Sequence, residues 1–88
     1  MIEKTVTIKN RAGIHARPAA ILVEAVKNFN CSVIYAKEGS RINGKSIMGI
    51  LTLGAAYNTQ LMLIIDGQDE EKAAEVLTRL FDSKFEEE

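Results

Sequence analysis

Polar and apolar residues alternate along IEKTVTIK, residues 2–9, placing Ile2, Val6 and Ile8 on one side and Glu3, Thr5 and Thr7 on the other. A period of two is that of a half-buried strand. After NRAG, residues 10–13, the period lengthens: from Pro18 to Phe29, Ala19, Leu22, Val23 and Val26 recur at helical spacing while Glu24, Lys27 and Asn28 gather opposite them. This predicts an amphipathic helix, and Pro18 fits its first turn, where a missing N–H costs no intrahelical bond. SVIYAK, residues 32–37, reads as a strand and GSRIN as its short return, with Glu38 and Gly39 supplying a tight turn.

SIMGIL, residues 46–51, predicts a short helix capped by Ser46 and weakened by Gly49. QLMLIID, residues 60–66, is apolar on both faces, as a central strand is, and Gly67 ends it. Asp69 is expected to cap a last helix with Glu70 and Glu71 at its positive end, Ala73, Leu77, Leu80 and Phe81 as its buried stripe, and a Glu75–Arg79 pair. The terminal FEEE is expected to fray. Strand, helix, hairpin, short helix, strand, helix suggests an α+β domain of two layers, one sheet face covered by helices.

Length and composition narrow this little further. The 88 residues make one domain, 1–88, with ordinary globular usage at 47% hydrophobic and 26% charged residues. A net charge of -1 gives no overall basic excess toward nucleic acid or an anionic membrane. Cys31 is alone, which fits a reducing compartment such as the cytoplasm, and the longest aliphatic run, Leu61 to Ile65, is far short of a membrane span. No targeting segment, metal set or cofactor motif is read.

One stretch imitates a nucleotide site. GSRINGKS, residues 39–46, matches G-x-x-x-x-G-K-[ST], and LMLIID ends in an aspartate as the accompanying strand often does. The chemistry needs a glycine-rich loop at the start of a full helix inside a βαβ unit. Here residues 40–43 read as a strand and Gly49 interrupts the following helix. Nucleotide hydrolysis is therefore set aside.

AGIHARPAA, residues 12–20, holds the single histidine and the single proline. A histidine at a helix start is ordinarily an exposed residue or a cap. No second histidine is present to make a metal site, and no base and acid stand at defined positions for a hydrolytic triad. What sets His15 apart is its company: unpaired helix amides, the positive end of the helix dipole, and the Arg17 guanidinium, all suited to phosphate oxygens. Imidazole, with a reference pKa of about 6.5, has a nucleophilic nitrogen near neutrality, and once protonated elsewhere on the ring it is a good leaving group. Such a site can take a phosphoryl group and pass it on.

With KSIMG, residues 45–49, the GIHARPAA stretch resembles the histidine-containing phosphocarrier (HPr) family of the bacterial phosphoenolpyruvate-dependent sugar phosphotransferase system. The resemblance spans essentially the whole chain. It implies an open-faced sandwich, with three helices on one face of a four-stranded antiparallel sheet in order 1-4-2-3. It implies further that His15 takes a phosphoryl group on Nδ1 from enzyme I and gives it to IIA domains of sugar permeases, as a carrier and not an enzyme. Arg17 would steady the group and Pro18 set the helix entrance. Ala16, Ala20, Ile47, Met48 and Leu51 would dock partners around the histidine, with Met48 partly exposed.

Ser46 has two roles on this reading, as helix cap and as a regulatory site for HPr kinase/phosphorylase, whose phosphate would oppose approach of an acidic partner. A second function then stands beside the first: a module that controls a kinase, a metabolic enzyme or a transcriptional regulator through its phosphorylation state. Gly44 stands where relatives often carry a larger residue, which is expected to loosen the loop before Ser46. Met62 and Ile64 are expected on the sheet face away from Leu61, Leu63 and Ile65, as scattered apolar residues or a contact for self-association. A monomer is expected.

Overall fold

In the computed structural model, which describes residues 1–86, the alternating first segment becomes β1 (Ile2–Thr7) and the chain continues through α1 (Ala16–Val26), β2 (Cys31–Lys37), β3 (Ser40–Asn43), α2 (Ile47–Thr52), β4 (Gln60–Gly67) and α3 (Glu70–Asp82). A short turn, Lys84–Glu86, follows, with Lys84 and Phe85 both at a positive φ of 58°. All strand pairs are antiparallel and the sheet order is β1-β4-β2-β3. The doubly apolar QLMLIID segment is central, as expected of a strand that meets side chains on both faces. Glu38 and Gly39 both take positive φ, 48° and 86°, which a two-residue hairpin turn of right-handed strands requires.

Register explains the core. Val6 pairs with Leu61, Tyr35 with Leu63 and Val33 with Ile65, so their side chains line one sheet face. Against them pack Ala19, Leu22 and Val26 of α1, Ile50 of α2, and Ala73, Leu77 and Phe81 of α3. Each large aliphatic or aromatic side chain buried in this way contributes about 1.5–3 kcal/mol. Helices cover that one face, giving the open-faced sandwich of the α+β class.

Several details depart from the sequence reading. Helix α1 begins two residues before Pro18 and ends at Val26, because Phe29 and Cys31 close a turn, with Phe29 N donating to Val26 O at 3.0 Å and Cys31 N to Phe29 O at 3.0 Å. Asp69 occupies the N-cap of α3 but makes no side-chain cap bond; its carboxylate accepts the Asn30 amide at 2.8 Å and ties α3 to the start of β2. Glu70 accepts the Gly67 amide at 3.1 Å, and that bond is the chief cause holding its carboxyl below the usual range. Phe85 does not fray: it is buried, with its ring edge-on to Phe81 at 5.1 Å, and Phe81 stands edge-on to Tyr35 at 6.0 Å. Glu87 and Glu88, the end of that expected fraying run, lie outside the described residues.

Gly44 is the clearest correction. A Cβ there would stand 2.4 Å from Val33 Cγ1 and 2.9 Å from Tyr35 Cε2, and its amide donates to Val33 O at 2.6 Å. Glycine tightens this loop against β2 instead of loosening it. The same contact disposes of the phosphate-loop resemblance: residues 40–43 are strand, and Lys45 Nζ donates to the Phe29 carbonyl at 2.6 Å. Met62 and Ile64 do lie on the open face. Met62 is exposed, whereas Ile64 is buried, with Glu3 and Ile34 as its register partners on the two neighbouring strands.

Candidate functional site

The loop that delivers His15 is fastened twice. The buried Asn10 donates through Nδ2 to Gly13 O at 2.8 Å, and Gly13 N returns a bond to Asn10 O at 3.1 Å. Gly13 sits at φ +75°, and a Cβ on it would lie 2.7 Å from the Ala55 carbonyl oxygen. Glycine is needed there both for the left-handed backbone and for the close approach. Ile14 N then donates to Ala55 O at 2.9 Å, anchoring the loop to the segment after α2.

This loop hands His15 to α1 as its N-cap, in extended conformation at φ -113° and ψ -165°. The His15 carbonyl accepts Ala19 N at 3.1 Å and starts the helix, while the side chain makes no capping bond. Helix geometry leaves the Ala16 and Arg17 amides without an intrahelical acceptor, and Pro18, buried in the first turn, has no amide to offer. No acidic side chain occupies that turn to neutralise the dipole. An exposed imidazole, two orphan amides and the exposed Arg17 therefore share one helix end. A phosphoryl group on the ring would meet hydrogen-bond donors and positive charge in a place already built.

The other candidate residues fall on α1 and α2, which pack together. Ala16 is exposed and Ala20 half-buried on α1. On α2, Ile47 is 40% and Met48 72% exposed, whereas Leu51 is half-buried against the core. Ser46 caps α2, its Oγ accepting Gly49 N at 3.0 Å. Burial pushes the Cys31 thiol up, so at neutral pH it stays protonated and is a poor nucleophile. Sequence reasoning passed over Asn10, Gly13 and Ala55; the turn-forming Asn-x-x-Gly spacing marks a loop, but not that the loop would be fastened to residues 55 and 56.

An exposed histidine at a helix N-terminus that also offers two amides and an arginine, on a sandwich with one bare face, is an arrangement able to hold an anion at the ring and within reach of other proteins. The family model for the PTS HPr component phosphorylation site matches residues 2–83. The phosphocarrier protein HPr of Treponema pallidum is 44% identical over 88 residues, covering 100% of both chains. The crystal structure of HPr-C-His from Thermoanaerobacter tengcongensis superposes with a TM-score of 0.95 at 43% identity, covering 100% of this chain and 99% of that one. Crh of Bacillus subtilis, a catabolite-repression protein crystallised as a domain-swapped intertwined dimer, gives 0.76 at 34% identity, covering 96% of this chain and 97% of that one. The chain belongs to the HPr family, the phosphocarriers of the phosphotransferase system.

Proposed function

We propose that His15 is the phosphoryl acceptor and that the chain, acting as a single-domain monomer in the cytoplasm, carries the group from enzyme I to IIA domains of sugar permeases. The observation that supports this most is placement: the exposed His15 stands at the N-cap of α1, beside the exposed Arg17 and the Ala16 and Arg17 amides that the helix leaves over. In the transfer, a bond from phosphorus to imidazole Nδ1 forms as the bond to the donor breaks, with the ring proton retained on Nε2. The group carries roughly two negative charges, which the Ala16 and Arg17 amides and the helix dipole would hold, with the exposed Arg17 side chain, two residues along, able to turn toward it. Pro18 fixes φ in the first turn and so the direction of the helix entrance. Ala16, Ala20, Ile47, Met48 and Leu51 supply the apolar contact; Met48, flexible and exposed, suits several partners in turn. No cofactor is needed, since the donor brings the group.

The test is to incubate the protein with enzyme I, magnesium and phosphoenolpyruvate and to follow intact mass and acid lability. One acid-labile phosphoryl group is expected, absent in His15→Ala. Retention of the group in that variant would overturn the assignment.

Likeness to Crh favours a second reading alongside the first, regulation through Ser46 by HPr kinase/phosphorylase with a transcriptional regulator as reader. Ser46 Oγ is half-buried and accepts the Gly49 amide, and a phosphate there would keep acceptors at that amide while adding charge. Ser46→Asp is expected to lower phosphoryl acceptance from enzyme I by about tenfold, the scale of one like-charge contact. Full acceptance would remove the inhibitory role.

A further inference from the structure

Among the described residues, the large apolar side chains that stand exposed are Met1, Met62 on the bare sheet face, and three close in sequence: Ile47, Met48 and Tyr57. Ile47 and Met48 belong to the docking patch already proposed. Tyr57 does not. It is 50% exposed in the 54–59 loop between α2 and β4.

That loop is rigidly attached to the site. Ala55 O accepts Ile14 N at 2.9 Å, Asn58 N donates to Ile8 O at 2.8 Å and Ile8 N to Thr59 O at 2.9 Å. Within the loop, Thr59 N donates to Ala56 O at 3.0 Å and Ala56 N to Thr59 Oγ1 at 3.2 Å. The backbone of Ala56 lies so near Gly13 that a Cβ on the glycine would be 3.1 Å from Ala56 Cα. Tyr57 therefore follows directly on the backbone that abuts the loop presenting His15. Its position is set before any partner arrives, which removes part of the ordering cost of binding. The fold asks for no aromatic here: Ala56, Tyr57 and Asn58 are all exposed, and Tyr57 is not part of the packed core.

Charge identifies the partner. Between Lys4 and Val23, and again between Gly39 and Ile65, the chain has no acidic residue, and Arg11 and Arg17 are the cations those stretches place on either side of His15; Lys9 is ion-paired with Asp82 and Lys45 is turned to the Phe29 carbonyl. Both the His15 loop and the Tyr57 loop come from these stretches. A protein that fits this rim has an acidic surface, and a phosphoryl donor must reach across it to the imidazole. Exposed, preorganised tyrosines are among the side chains on which interface energy concentrates.

We propose that Tyr57 is a docking residue for the phosphoryl donor, its ring seated in an apolar, acid-rimmed depression of that protein. This rests on the carrier reading above. Tyr57→Ser, Tyr57→Phe and, as a remote exposed control, Met62→Ala would be compared with the parent chain in steady-state transfer from enzyme I and then to a IIA domain. Tyr57→Ser is expected to raise the KM of enzyme I for the carrier by roughly 5–30-fold with kcat unchanged, the range of an interface hot spot. Tyr57→Phe, which keeps the ring, should stay within about threefold, and Met62→Ala should match the parent. An unchanged KM, a fall confined to kcat, an equal effect of Met62→Ala, or a defect seen only in delivery to IIA would each overturn the proposal. A parent chain that accepts no phosphoryl group would overturn the carrier reading itself.

Discussion

Gly13 shows how one residue without a side chain can set the position of another, here the histidine proposed to react. Its φ of +75° and the 2.7 Å that a Cβ would leave to Ala55 O mean that Gly13→Ala meets two penalties at once, a left-handed backbone and a backbone clash. The first alone is about 1–2 kcal/mol. We expect Gly13→Ala to fold with stability lowered by about 2–4 kcal/mol, by urea denaturation, and to accept phosphate from enzyme I more slowly than its folded fraction accounts for. Slowing that tracks the folded fraction would mean the glycine serves only stability. At this scale the sequence was half legible. That His15, Arg17 and Pro18 gather at one helix start could be read from their spacing, whereas the reason for Gly13 and Gly44 lies in residues 55 and 33, far along the chain. A glycine looks the same whether it loosens a loop or is the only residue that fits, and for Gly44 local reasoning pointed the wrong way.

Among the elements, those with strong periodicity were readable and those settled by a single hydrogen bond were not. The period of two in β1, the doubly apolar β4 and the stripe Ala73, Leu77, Phe81 translate directly into burial. Asp69 has the composition of a cap, yet its carboxylate is taken by Asn30, a competition that depends on how α3 meets β2. Ser46 does make its capping bond, its Oγ accepting Gly49 N at 3.0 Å. Tyr35 carries a different cost. It is wholly buried between sheet and helices, its hydroxyl has no hydrogen-bond partner, and burial pushes its phenol far up. A buried hydroxyl left unmatched costs about 1–3 kcal/mol. Tyr35→Phe keeps the ring and its edge contact with Phe81, so it is expected to leave stability unchanged or raise it by about 1 kcal/mol, read from thermal or urea unfolding. A loss greater than about 1 kcal/mol would show that the hydroxyl has a partner in solution, such as a water molecule.

Across the whole molecule, what matters is how a nearly neutral chain presents one charged end. The net charge of -1 conceals a segregation along the chain: the β1–α1 and α2–β4 connections hold no carboxylate of their own, although Asp82 of α3 reaches Lys9 at 2.9 Å, while α3 begins with Asp69, Glu70 and Glu71. Antiparallel order brings this about, because the β1–α1 connection and the α2–β4 connection meet through Ile14 N and Ala55 O. Composition alone excludes long-range steering by net charge, yet steering depends on the field near the docking face, which the fold concentrates. The field there is screened over a Debye length of about 10 Å at 0.1 M salt. Transfer from enzyme I should therefore weaken with ionic strength through association. Raising salt from about 0.02 to 0.5 M is expected to increase the KM for the carrier by roughly tenfold or more while kcat changes little, as for other electrostatically assisted encounters. Steady-state transfer assays across a sodium chloride series would measure this. A KM that stays flat would mean that the apolar contacts of Met48 and its neighbours carry recognition by themselves and that the cationic rim serves the bound phosphoryl group alone.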